Sequence, residues 1–145
     1  MTTLIRYQPW ALHRELANEF NRYFERAESD ASTGASAEWS PAVDIEEYAD
    51  KFVLYADVPG VDPKSIEITL EKGALTVSGS REKAVEGKDV QARRIERSAG
   101  RFVRRFSLPD TVDGEAVTAK SANGVLELAI PKRPAAQPRK ISVSH

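Results

Sequence analysis

Between Trp39 and Lys132 apolar residues recur with a period of two, and no helical period interrupts them. In SIEITLEKGALTVSGS, Ile66, Ile68 and Leu70 alternate with Glu67, Thr69 and Glu71; the chain turns at Lys72-Gly73 and resumes with Leu75 and Val77. Successive side chains of a strand point to opposite faces, so this stretch reads as a hairpin with one apolar face. KFVLYADV is nearly continuously apolar, the pattern of a strand covered on both faces. GRFVRRFSLP places Phe102, Phe106 and Leu108 on one parity, and NGVLELAI supplies a turn followed by Leu126, Leu128 and Ile130 on one face. With SPAVDIEE and EAVTAKS there are roughly seven short strands separated by turn signals, so the expected fold is all-β, an immunoglobulin-like antiparallel β-sandwich.

The flanks read differently, which divides the chain into an arm at 1–38, a sandwich at 39–132 and an extension at 133–145. In the arm, Leu12, Leu16, Phe20, Tyr23 and Phe24 follow Pro9 at spacings that place them on one side of an amphipathic helix. AESDASTGASAE then reads as a flexible linker, too polar to bury surface of its own. After the prolines of RPAAQPRK, the chain ends in RKISVSH, where Ile141 and Val143 are spaced like one face of a short strand.

Several function classes are excluded or weakened by residue counts. There is no cysteine, which removes disulfides, thiolate metal sites and a cysteine nucleophile and accords with a reducing cytoplasm, the expected location. His13 and His145 are the only histidines, and no G-x-S-x-G or G-x-x-x-x-G-K-[ST] motif occurs, so neither catalysis nor a metal, nucleotide or other cofactor is expected. The opening residues lack the long apolar core of a signal peptide, and no apolar run is long enough for a membrane span. Six arginines lie between Arg93 and Arg105 with only Glu96 opposing them, yet they alternate with Phe102, Val103 and Phe106, and the formal net charge is −1; nucleic acid is not an expected partner.

AKSANGVLELAIPK resembles the A-x-x-x-N-G-V-L signature that closes the α-crystallin domain of small heat-shock proteins, with Ala119, Asn123, Gly124, Val125 and Leu126 matching. ADVPGVDPKSIEITLEKGALTVSGSR and RIERSAGRFVRRFSLP are similar to the bacterial and plant branch of that family. The ordered motifs cover about two-thirds of the chain. The resemblance implies that the ISV stretch, as an I-x-I/V motif, inserts between two edge strands of a neighbouring dimer. Ile66, Ile68, Leu70, Val117 and Ala119 are the expected walls of that groove. Edge strands carry unpaired backbone groups, and a tail with two apolar residues at alternate positions suits strand addition; the other reading of the tail is a frayed end.

REKAVEGKDVQARRIERSAG is long for a connection within a sandwich. The resemblance implies that a short strand within it, near Val90, Gln91, Ala92, Arg93 and Arg94, pairs with the first strand of a partner to give a strand-swapped dimer. Ala92 stands where many relatives carry an aromatic residue, so a packing anchor is missing. A solvated loop is the alternative. Arg104 shares the parity of Phe102, Phe106 and Leu108 and so needs a carboxylate or carbonyl partner; the resemblance places it near the dimer interface, and the alternative is a solvated arginine at a strand edge.

Two function classes follow. The first is an ATP-independent holdase in which Tyr7, Trp10, Leu12, Leu16, Phe20, Tyr23 and Phe24 capture apolar segments of unfolding proteins and hold them for refolding chaperones. The second is a membrane-surface or assembly module using the same helix; Arg14, Arg22 and Arg26 are balanced by Glu15, Glu19 and Glu25, so the cationic excess that lipid binding favours is missing and no membrane is expected.

Overall fold

A computed structural model describes residues 37–134 and 141–144, together with Asn18, Asn21 and Arg22. Those three arm residues are helical and exposed, and none belongs to the apolar stripe expected for the arm. The remaining regular structure is seven strands and two short 3-10 turns: β1 (Val43–Glu47), β2 (Lys51–Asp57), β3 (Glu67–Glu71), β4 (Ala74–Arg81), β5 (Gly100–Ser107), β6 (Thr118–Ala122) and β7 (Val125–Pro131). All pairings are antiparallel. They make a four-stranded sheet in the order β1-β2-β7-β6 and a three-stranded sheet in the order β3-β4-β5.

Two hairpins pin the register. Lys72 and Gly73 have φ of 51° and 76°, and Asn123 and Gly124 have 53° and 78°. Positive φ at both central residues is the type I′ turn, whose twist matches that of the strands it joins. Glu71 therefore faces Ala74, and Ala122 faces Val125. Positive φ costs a residue that carries a Cβ, and glycine, which adopts it freely, takes the second position in both turns.

The described residues fall into two compact units. The first contains β3, β4 and β5 with residues 37–41. Its buried large apolar side chains are Val61 before β3, Leu75 and Val77 of β4, Phe102 and Phe106 of β5, and Leu108 just beyond. Leu75 pairs with Phe106, and Gly79 pairs with Phe102. A Cβ on Gly79 would stand 2.8 Å from the Phe102 ring, so the ring lies over the backbone of β4 and is fully buried there.

The second unit contains β1, β2, β6 and β7. Phe52, Leu54 and Ala56 of β2 lie opposite Ile130, Leu128 and Leu126 of β7, and all six are buried. Val53, on the other face of β2, is buried as well, as the unbroken apolar run of this strand leads one to expect. Full burial of each such side chain is worth roughly 1.5 to 3 kcal/mol, so these two faces are the main source of stability in their sheets.

Candidate functional site

The root of the long connection between β4 and β5 is built around Trp39. Its indole Nε1 donates to the Gly100 carbonyl at 2.8 Å, and its ring meets Phe102 edge to face with centroids 5.1 Å apart. Arg81, the last residue of β4, lays its guanidinium 3.9 Å from the centre of the indole ring and donates from Nη1 to the Ser98 carbonyl at 2.8 Å. Glu38 accepts from the Arg101 amide at 2.9 Å and from Lys83 Nζ at 3.3 Å. Its backbone amide also donates to the Arg101 carbonyl at 2.8 Å. The hydrogen bond from the Arg101 amide, followed by that from Lys83, holds the Glu38 carboxyl below the usual carboxylate range.

From the sequence alone, Trp39 marks the start of the sandwich and Glu38 belongs to the arm. A signal was available: a tryptophan directly after a linker of small polar residues is far too large and apolar to belong to it.

Arg104 stands opposite Val77 on the face of Phe102 and Phe106 and is half-buried, whereas Arg105 is exposed. The Arg104 guanidinium donates from Nη1 to the Pro41 carbonyl at 2.7 Å and lies 5.3 Å from the centre of the Phe106 ring. The parity argument thus identifies a side chain that needs a partner, and within the chain that partner includes a carbonyl.

The connection itself, residues 82–99, contains no strand. Val90, Gln91, Ala92, Arg93 and Arg94 are exposed and irregular, so the strand expected near them is not formed in the single chain. The physical reason is that a strand needs a neighbouring backbone ladder, and none of β1–β7 pairs with these residues. Local contacts hold part of the segment: Arg93 Nη2 donates to the Ala84 carbonyl at 3.0 Å, and Arg94 pairs with Glu96 at 3.1 Å.

The residues expected to receive the tail sit on two edge strands of different sheets. Ile66 immediately precedes β3, Ile68 and Leu70 are on it, and all three are half-buried. Val117, half-buried, precedes β6, and Ala119 is exposed on it. Asp62 and Asp113 each cap a 3-10 turn leading into these strands, accepting from the Lys64 and Glu115 amides. Those caps set where Ile66 and Val117 enter their edges. Ile141 and Val143 themselves are 82% and 90% exposed. Trp10, Leu12, Leu16, Phe20, Tyr23 and Phe24 lie outside the described residues.

The model of the Hsp20/alpha crystallin family matches residues 44–144. The chain belongs to that family. It is 44% identical over 104 residues to the spore protein SP21 of Stigmatella aurantiaca, covering 72% of this chain and 62% of that protein's length. A 17.4 kDa class I heat shock protein of Oryza sativa is 39% identical over 121 residues, covering 83% of this chain and 74% of the relative. The solved structure of a small heat-shock protein from Xylella fastidiosa is 47% identical, with a TM-score of 0.67, and the match covers 75% of this chain and all of that one.

The two antiparallel sheets are therefore those of the α-crystallin β-sandwich, in a family of bacterial and plant small heat-shock proteins that are chaperones rather than enzymes. Among the described residues no three His, Cys, Asp or Glu side chains are placed to hold a metal ion, and no helix is long and apolar enough to cross a membrane.

Proposed function

We propose that the chain is an ATP-independent holdase of the cytoplasm that binds apolar segments of unfolding proteins, limits their aggregation and passes them to refolding chaperones. It works as a dynamic oligomer of strand-swapped dimers. The supporting observation is where the exposed large apolar side chains of the described residues lie: apart from Tyr48 between β1 and β2, they are Val85, Val90 and Ile95 in the connection, and Ile141 and Val143 in the tail. Such residues are common singly, but here they gather in the two irregular segments that the family resemblance assigns to partner contacts.

The acceptors are sheet edges. β1 is an edge strand, suited to pairing with residues 90–94 of a second copy; β3 and β6 are the edges suited to the Ile141 and Val143 motif. Burial of the two tail residues is worth roughly 1.5 to 3 kcal/mol each before the tail is ordered, so one link opens readily while many links hold an assembly. Exchange of links exposes the edges and the arm together, which couples assembly to capture. The arm residues Trp10, Leu12, Leu16, Phe20, Tyr23 and Phe24 supply a non-directional apolar surface for clients.

The test is light scattering of a heat-labile client with and without the full chain, in the presence and absence of ATP, beside native mass spectrometry. Suppression of scattering that ignores ATP, together with even-numbered oligomers, is expected. A chain that stays monomeric, or that leaves client aggregation unchanged, would overturn the reading.

A further inference from the structure

The roots of the 82–99 connection enclose a cleft of about 480 Å³ lined by five cationic side chains and two carboxylates. Three of the cations are already engaged: Lys83 with Glu38, Arg94 with Glu96, and Arg93 with the Ala84 carbonyl. Arg81 and Arg97 are not neutralised. Arg97 makes no hydrogen bond or ion pair among the described residues, and Arg81 Nε is a buried donor without a hydrogen-bond partner. A buried donor left unpaired is rare and calls for an explanation.

The two guanidinium groups converge. From the point where a Cβ of Gly60 would stand, Arg97 Nη2 is 3.4 Å away and Arg81 Nε is 3.8 Å away. Burial, and then the charge of Arg97, lower the pKa of Arg81, as expected for like charges without an intervening anion. Arg81 is also held in place before any ligand arrives, by the Trp39 ring on one face and the Ser98 carbonyl at Nη1. A fixed guanidinium loses little freedom on binding an oxyanion, and two of them match the several oxygens of a tetrahedral anion.

We propose that Arg81 and Arg97 form an anion site for a phosphoryl dianion, carried by inorganic phosphate or by a polyphosphate chain. Phosphate fits better than a carboxylate because a charge near −2 balances both arginines at once. The site lies at the roots of the connection, Arg81 ending β4 and Arg97 shortly before β5.

The test is titration of the full chain, at low ionic strength in phosphate-free buffer, with inorganic phosphate and separately with tripolyphosphate, followed by ³¹P NMR and calorimetry. Arg97→Gln is the principal variant because Arg97 is exposed and makes no hydrogen bond or ion pair among the described residues; Lys72→Asn, on the β3–β4 turn, controls for loss of one charge. Affinity is expected to fall at least tenfold in Arg97→Gln and less than twofold in Lys72→Asn. Binding of both probes assigns the site to a single phosphoryl group, and binding of tripolyphosphate alone assigns it to a chain that reaches the neighbouring cations. The proposal is overturned if neither probe binds, or if the two variants lose affinity equally. It is also overturned if Arg97→Gln weakens dimerisation without changing phosphate binding, which would make the pair a subunit contact.

Discussion

A single parity step separates two arginines with different work. Arg104 shares its side of β5 with Phe102 and Phe106 and reaches the Pro41 carbonyl, while Arg105 points to solvent. Arg104→Gly removes a charge-assisted hydrogen bond and leaves a half-buried carbonyl short of a donor, so a loss of about 1 to 3 kcal/mol is expected; Arg105→Gly should lose distinctly less. Chemical denaturation of both variants, with sedimentation to follow the dimer, checks this, and equal losses would reject the parity argument. Glu38 gives a pH prediction. Its carboxyl is held below the usual range by the Arg101 amide and then Lys83, so the charged form is favoured on folding. A depressed folded pKa contributes stability above the unfolded value, and that stability disappears as pH falls through the folded value. Glu38→Gln should therefore lose stability at neutral pH and show a flatter acid limb than the parent; parallel curves of stability against pH for the two chains would remove Glu38 from the account.

At the scale of elements, the edges decide what the sheets can do next. β3 and β6 each present one unpaired side, and the tail offers Ile141 and Val143 with the alternation that an added strand needs. Deleting residues 134–145, or changing Ile141 and Val143 together to Ser, is expected to reduce the assembly to small species, chiefly dimers, with the thermal unfolding of the sheets unchanged within about 0.5 kcal/mol. Analytical ultracentrifugation reads the outcome, and a mutant of parental size would mean the tail links nothing. The strands themselves were legible because their period of two is a local property of the chain. The strand expected at 90–94 is absent from the structure, because alternation alone makes no strand without a neighbouring backbone to complete its hydrogen bonds.

For the whole molecule, the question is what the arm contributes. Glu38 and Trp39 are tied to β5 by backbone and side-chain hydrogen bonds, so the folded part begins before Trp39. Removal of residues 1–36 is expected to leave the strands folded and to abolish most protection of heat-labile clients, whereas removal through residue 38 should also destabilise β5. Circular dichroism and light scattering on both truncations separate these effects. Full protection by the 1–36 truncation would move client capture from the arm to the exposed edges.

The sequence by itself determined the strand segments, the turns at Lys72-Gly73 and Asn123-Gly124 and the buried faces of β4, β5 and β7, since all three rest on side-chain alternation and on the φ that glycine permits. It also carried the family motif through Ala119, Asn123, Gly124, Val125 and Leu126. Only the tertiary structure decided that Arg104 answers to the carbonyl of Pro41, that Arg81 stacks on Trp39, and that Arg81 and Arg97 meet at Gly60. Every residue carries a carbonyl, so no sequence pattern marks the one an arginine will find. The Gly60 meeting likewise depends on where β4, β5 and the turn after β2 come to rest, which is set by long-range packing rather than by any local period.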